Sequence, residues 1–383
     1  MKKIDDKQLN LTNTAFLVIT PIIALIGVPY WAYVHGFHWA TIVLFAFYMI
    51  ATGISVTAGY HRLFAHRAYE ANPAVQLFFL VFGAAACENS VVAWSSGHRK
   101  HHAFTEQPAD PYNINKGFFH AHMGWIFYDN QTDFDYKNVS DLRENGLVRW
   151  QNNYYWSITI LVGFVLPLAL GALWHDAIGS LLLVGVARTV LVHHCTWFIN
   201  SLCHYLGRQT YATNITARDS VLMAFLTYGE GYHNFHHSFQ GDYRNGVKWY
   251  QWDPTKWLIG SLALIGLAKK LTRVPDLQIF KARLTVEREL IEKRLLSCSA
   301  QVRERWEKLL NEAQDAAVQA QSQWDKLKAD YQQAKENSNQ YRADLVQKLE
   351  QELDSAKQRF SVAQNHWLNI ARDAARQDTM KAA

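Results

Sequence analysis

The chain has 383 residues, and its 38 Lys and Arg against 33 Asp and Glu leave a net charge of +5. That charge forms no basic block, so nothing argues for binding to nucleic acid. Apolar residues make up 49% and aromatic residues 14%, concentrated before Pro275, which points to a membrane protein joined to a soluble tail. The four cysteines show no CxxC pair and no regular spacing, so reduced thiols are expected.

In chain order, Lys2, Lys3 and Lys7 precede an apolar run, Thr14 to Val34, that is about the ~20 residues a bilayer core requires. This run is read as a retained first span, since another follows at once. Pro21 and Pro29 are tolerated within it. The turn His35–His38 leads to a second span, Trp39–Thr57. A second hairpin is expected from Tyr155–Trp174 and Ile178–Asn200, joined by His175-Asp176. Neither short turn carries Lys or Arg, whereas Arg62, Arg67, Arg99 and Lys100 lie on the other side. The positive-inside rule then places both termini and every histidine cluster in the cytoplasm, at a bacterial inner membrane or the endoplasmic reticulum. Ala74–Val92 is expected as a buried or interfacial helix rather than a fifth span. Trp257–Leu271 is too short to cross and suits a surface helix.

After Pro275 there is no Gly or Pro. Trp306, Leu310, Ala313, Ala317, Ala320, Trp324, Leu327, Tyr331 and Ala334 alternate spacings of four and three, and a second such seam runs from Tyr341 through Leu345, Leu349, Leu353 and Ala356 to Ala374. This predicts an antiparallel helical hairpin or coiled coil, either docking a partner protein, forming an oligomer, or standing as a solvated appendage. The expected division is an N-terminal cytosolic segment at 1–13, a membrane domain at 14–275 and a helical tail at 276–383. The fold class is therefore all-α integral membrane, with four transmembrane helices in two hairpins under a histidine-rich cap.

The chemistry begins at Trp94–His102, read as W-S-S-G-H-R-K-H-H. His98, His101 and His102 stand at i, i+3 and i+4 and share a helix face, so three imidazoles are expected to converge on one point. Alone, this triplet is either a metal site or a basic surface patch. Further groups favour metal. His233, His236 and His237 repeat the spacing, His61 and His66 follow the second span, and Asn200 and His204 end the fourth. A spacing of five places His61 and His66 about 140° apart on an ideal helix, so a distorted helix end is expected there. Nine histidines are too many for one ion, and two first-row metals are the economical count, with Asn200 holding a water. A redox metal beside acyl chains suggests oxygen activation, hence iron. His120, His122, His193 and His194 are read as supporting or packing residues.

The boxes H-R-L-F-A-H (61–66), H-R-K-H-H (98–102) and H-N-F-H-H (233–237) resemble those of the membrane fatty acid desaturase family. Among its members, the Δ9, stearoyl-CoA type acyl desaturases are most similar. T-A-G-Y-H-R at 57–62, A-D-P-Y-N at 109–113, G-F-F-H-A-H-M-G-W at 117–125, T-W-F-I-N-S-L-C-H at 196–204 and G-E-G-Y at 229–232 support the likeness. It implies a cytosolic di-iron cap held by His61, His66, His98, His101, His102, His204, His233, His236 and His237, with Asn200 bound through water. It also implies O2 as co-substrate and electrons from a ferredoxin, a cytochrome b5 or a flavin-linked reductase. The product is then a cis double bond in a saturated chain, with no catalytic side chain beyond the ligands. Asn89, Trp94 and Trp197 match positions along the substrate path, and Phe45 and Met49 lie where relatives close its end. Ser95-Ser96-Gly97 stand where animal acyl-CoA desaturases carry charge, which leaves both CoA and a lipid as carriers. Two other readings remain open: a lipid hydroxylase or alkane monooxygenase with the same metal pair, and a non-enzymatic metal-binding scaffold led by its coiled coil.

Overall fold

The computed structural model describes residues 8–128, 136–336 and 343–376. Lys2, Lys3, Lys7 and the seam residue Tyr341 lie outside the described residues. Two compact units form: one from the chain up to Arg208 with Asn214–Arg273, the other from Gln209–Thr213 with the chain from Val274 onward.

Among the described residues of the first unit, four helices are long and apolar enough to cross a membrane: Leu11–Val34, Trp39–Ala65, Tyr155–Ala172 and Ala177–His204. The chain is thus a membrane protein of the expected all-α class. Asn10 caps the first helix by accepting from the Asn13 N–H at 2.8 Å. In that helix Leu17 alone is buried, and Val18, Ile19, Ile22, Leu25, Ile26 and Tyr33 are exposed, as suits lipid. Asp176, in the short turn of the second hairpin, binds the first. It accepts from the Trp31 indole at 3.1 Å, the His38 N–H at 3.0 Å and the Thr41 hydroxyl at 2.6 Å. Both hairpin turns therefore sit at one end of the unit.

The second span changes its winding: Ser55–Ala65 is a π-helix. The stretch expected as one helix over Ala74–Val92 is two elements, Pro73–Ala85 and Val91–Ala103. Cys87 and Asn89, both with positive φ, break it between them. At 13 residues Pro73–Ala85 is about 20 Å long, too short to cross. It packs into the π-segment where glycines permit close approach: a side chain at Gly59 would overlap Phe79, and one at Gly83 would overlap Tyr60. Its C-terminal carbonyls end inside the unit and are all met. Ala84 O accepts from Thr159 at 3.0 Å, Ala85 O from the Arg188 guanidinium at 2.6 Å, and Ala86 O lies 2.9 Å from His193 Nε2. Arg188, fully buried in the fourth span, also donates to Gly163 O and Val184 O. The guanidinium opposes the negative end of the helix dipole.

Near the end of the first unit, the surface helix is Pro254–Leu264, shorter than expected. Gly266, at φ +75°, turns the chain into strand Ala268–Lys269, which pairs antiparallel with Glu70–Ala71.

The second unit contains the expected hairpin, Ala300–Glu336 and Ala343–Arg376, with seam residues Leu310, Ala313, Ala317 and Trp367 buried. A third helix, Asp276–Leu295, packs against both arms. It contributes Phe280, Leu284, Ile291 and Leu295 to the core, and its Glu287 accepts from the Trp367 indole at 2.7 Å.

Candidate metal centre

Four short elements bring the histidines together. In the π-helix the His66 N–H bonds to His61 O at 3.0 Å, an i→i+5 bond that stacks residues five apart. The extra residue per turn removes the angular conflict of an ideal helix. His98, His101 and His102 lie on Val91–Ala103, while His233, His236 and His237 lie on His233–Ser238.

The triplets do not converge on one point. One group holds His61, His66, His98, His102 and His236, and another holds His101, His233 and His237, with ligand atoms within 4.8 Å of one another in each. The reason is angular: i+3 and i+4 fall on either side of i, about 100° apart, so each triplet serves two centres. His204, in the turn Leu202–His204, stands beside the second group, its ring 5.1 Å from that of His233. Asn200 lines the adjoining cavity with His233 and His236.

The same ring nitrogen points inward throughout. Nε2 of His61 lies 3.1 Å from Nε2 of His236, which lies 3.0 Å from that of His102. His66 and His98 approach to 2.8 Å, His233 and His237 to 3.1 Å, and His101 and His237 to 3.3 Å. A metal–nitrogen bond of about 2.0–2.1 Å puts ligands at right angles about 2.9 Å apart. The observed spacings suit that arrangement, so the donor set fits a pair of first-row cations. Burial, reinforced by repulsion between neighbouring rings, holds His66, His98, His102, His233, His236 and His237 well below their ordinary value of 6.5. At neutral pH these rings are uncharged and offer lone pairs.

Carboxylates behind the rings set that orientation, a role that sequence reasoning missed. Glu230 stands 3.0 Å from His61 Nδ1, and Asp110 stands 2.8 Å from His101 Nδ1. Thr216 lies 2.7 Å from His204 Nδ1 and donates to Glu106 at 2.6 Å. Such partners fix tautomer and ring angle. Burial alone raises Glu230, but the charge and hydrogen bonds of Arg62 outweigh it and leave the carboxyl at about 2. Arg62 donates to Glu230 at 2.9 Å and to Asp253 at 3.1 Å. The signal was present in the motifs: Glu230 and Asp110 lie inside G-E-G-Y and A-D-P-Y.

A cavity of about 490 Å³ reaches these rings between walls from the first, third and fourth spans, including Leu17, Ile160 and Phe164. Asn89, Trp94 and Trp197 line it; Phe45 and Met49 are not among its lining residues. Trp94 stacks on His98 with ring centres 4.9 Å apart. Glu88 accepts from the Trp94 indole at 3.2 Å and from Thr196 at 2.7 Å, and burial pushes its carboxyl up to about 7. A largely apolar channel ending at converging nitrogen lone pairs can present an alkyl chain to metal chemistry.

The fatty acid desaturase family matches residues 37–263. The probable acyl-CoA desaturase of Schizosaccharomyces pombe is 38% identical over 289 residues, covering 75% of this chain and 60% of that protein. Acyl-CoA desaturase 1 of Saccharomyces cerevisiae is 39% identical over 250 residues, covering 65% and 49%. Stearoyl-CoA desaturase 5 of Homo sapiens is 36% identical over 247 residues, covering 62% and 74%. The chain thus spans 49% and 60% of the length of the two yeast relatives. The family match takes in more than half of the chain and both groups of converging histidines, and the chain belongs to the fatty acid desaturase family.

Proposed function

We propose that this chain is an O2-dependent acyl desaturase of the Δ9 type, acting on a saturated fatty acyl chain carried by CoA or by a lipid. The observation that carries the reading is the pair of histidine groups, with Nε2 atoms 2.8–3.3 Å apart, at the wall of an apolar cavity. The names of the relatives, acyl-CoA and stearoyl-CoA desaturases, support the substrate class.

In this reading His61, His66, His98, His102 and His236 hold one iron. His101, His204, His233 and His237 hold the other, with Asn200 bound through a water. Bound there, the iron pair supplies the oxidising chemistry: R–CH2–CH2–R′, O2, two electrons and two protons yield R–CH=CH–R′ and two waters. The residues of the chain do the positioning. Glu230, Asp110 and Thr216 hold their histidines with Nε2 inward. Trp94, stacked on His98 and tied to Glu88, forms the wall against which the chain lies, with Asn89 and Trp197 beside it. Which methylenes react follows from how this channel holds the chain, because an unactivated C–H offers no handle of its own. Electrons arrive from a ferredoxin, a cytochrome b5 or a flavin-linked reductase. The histidine cap and both termini face the cytoplasm, and residues 276–383 serve an oligomer or a partner protein.

The test is gas chromatography and mass spectrometry of lipids from a host expressing the wild type or His101→Ala with iron and reductase supplied. Monounsaturated chains with the wild type alone are expected. Hydroxylated chains would instead assign a hydroxylase, and no new product from the wild type would overturn the reading.

A further inference from the structure

Large apolar side chains remain exposed on two segments beyond the fourth span. The short helix Val221–Leu226 exposes Leu222 and Phe225, at 64% and 62%. The loop after Lys248 exposes Trp249 at 84% and Tyr250 at 60%. Ring contacts join the segments: Phe225 meets Trp252 at 5.0 Å, and Trp252 meets Trp257 at 5.5 Å. The result is one aromatic surface rather than scattered residues.

Its height relative to the spans follows from hydrogen bonds. Tyr228, two residues beyond the short helix, donates its hydroxyl to Met49 O at 2.9 Å. Its ring fills the space over Gly53, where any side chain would overlap it. Thr255 meets Thr57 at 2.8 Å and donates to Tyr228 O at 2.8 Å. Met49, Gly53 and Thr57 follow at steps of four within the second span. The surface is therefore docked beside the inner turns of a membrane-crossing helix, where neighbouring Ile50 is 60% exposed and suited to lipid.

We propose that Val221–Leu226 and the Trp249–Trp257 segment form a collar that enters the membrane interface and binds the phospholipid surface. Two observations favour lipid over a protein partner. The surface is continuous with the apolar face of the second span, and its composition is that of an interfacial belt, with Trp and Tyr rings that tolerate both hydrocarbon and headgroups. Exposed Lys248, its ammonium 5.8 Å from the Tyr250 ring centre, can reach lipid phosphate while its stem stays among apolar atoms. Seated this way, the collar holds the turn carrying Gly229-Glu230, and so His61's carboxylate, at a constant depth.

The test uses the full chain in nanodiscs of phosphatidylcholine and phosphatidylglycerol and does not depend on activity. Tryptophan emission of the wild type is compared with that of Trp249→Phe, a conservative change at an exposed position, and the difference isolates one ring among 14 tryptophans. Phospholipid brominated near the headgroup should quench more than half of that difference, and acrylamide should quench at least twofold less. Equal or stronger quenching by acrylamide would overturn the proposal by placing the ring in water. Protection from both quenchers would also overturn it, by showing a second copy or another protein on the surface.

Discussion

Around Arg188 the hydrogen bonds of the guanidinium all go to backbone carbonyls, and each carbonyl ending the short helix Pro73–Ala85 has a donor. Around the histidines the inward nitrogens have one another, as lone pairs 2.8–3.3 Å apart. Both places are polar sites buried in an apolar unit, but they resolve burial in opposite ways. The first keeps a charge and satisfies it inside the chain, which marks a structural role. The second suppresses charge on each ring and is completed by a cation, which marks a binding role.

The largest expected effect comes from His236→Ala. His236 faces both His61 and His102, so its loss should remove metal, read by elemental analysis of the purified protein, and lower product more than about 100-fold. Full metal content in this variant would break the distinction. Next is Arg188→Met, which keeps the volume but strips a donor from Ala85, Gly163 and Val184. Unsatisfied carbonyls should cost about 2–4 kcal/mol, seen as a lower unfolding temperature, while any protein that folds still takes up metal. Selective loss of metal without loss of stability would reverse the roles assigned here.

The smallest effect is a pH dependence. Six histidines titrate below 6.5 when folded, so the unfolded chain binds more protons once pH falls below that value. Their stabilisation is complete above about pH 6.5 and is lost as pH falls toward the folded values. The chelated protein should lose thermal stability between pH 7.5 and 5.5, and bound metal should push the loss to lower pH. Equal melting of chelated protein at both values would show that the rings are not held neutral.

Much of this was legible in the chain. The four spans follow from apolar length, and the tail hairpin from its heptad seam. The first tail helix was hidden because Asp276–Leu295 intersperses charges with its core residues, and the stretch after Lys293 offers no break a reader of periodicity would trust. The carboxylates Glu230 and Asp110 sat in recognised motifs without an assigned role, since nothing in a local pattern says which distant imidazole a carboxylate will face.

The sequence by itself determined the membrane class, the helical hairpins and the set of histidines worth watching, because hydropathy and short spacings act over neighbouring residues. The tertiary structure decided how that set divides. His98 joins His66 while His101 joins His237, because i+3 points away from i and i+4 on Val91–Ala103, and the facing triplet divides likewise, His236 going to the first group and His233 and His237 to the second. It also decided that the second span unwinds into a π-helix, aligning His61 with His66, and that Arg188 closes the short helix across two spans. Each of these depends on a partner far away in the chain, and distance along the chain carries no record of distance in space.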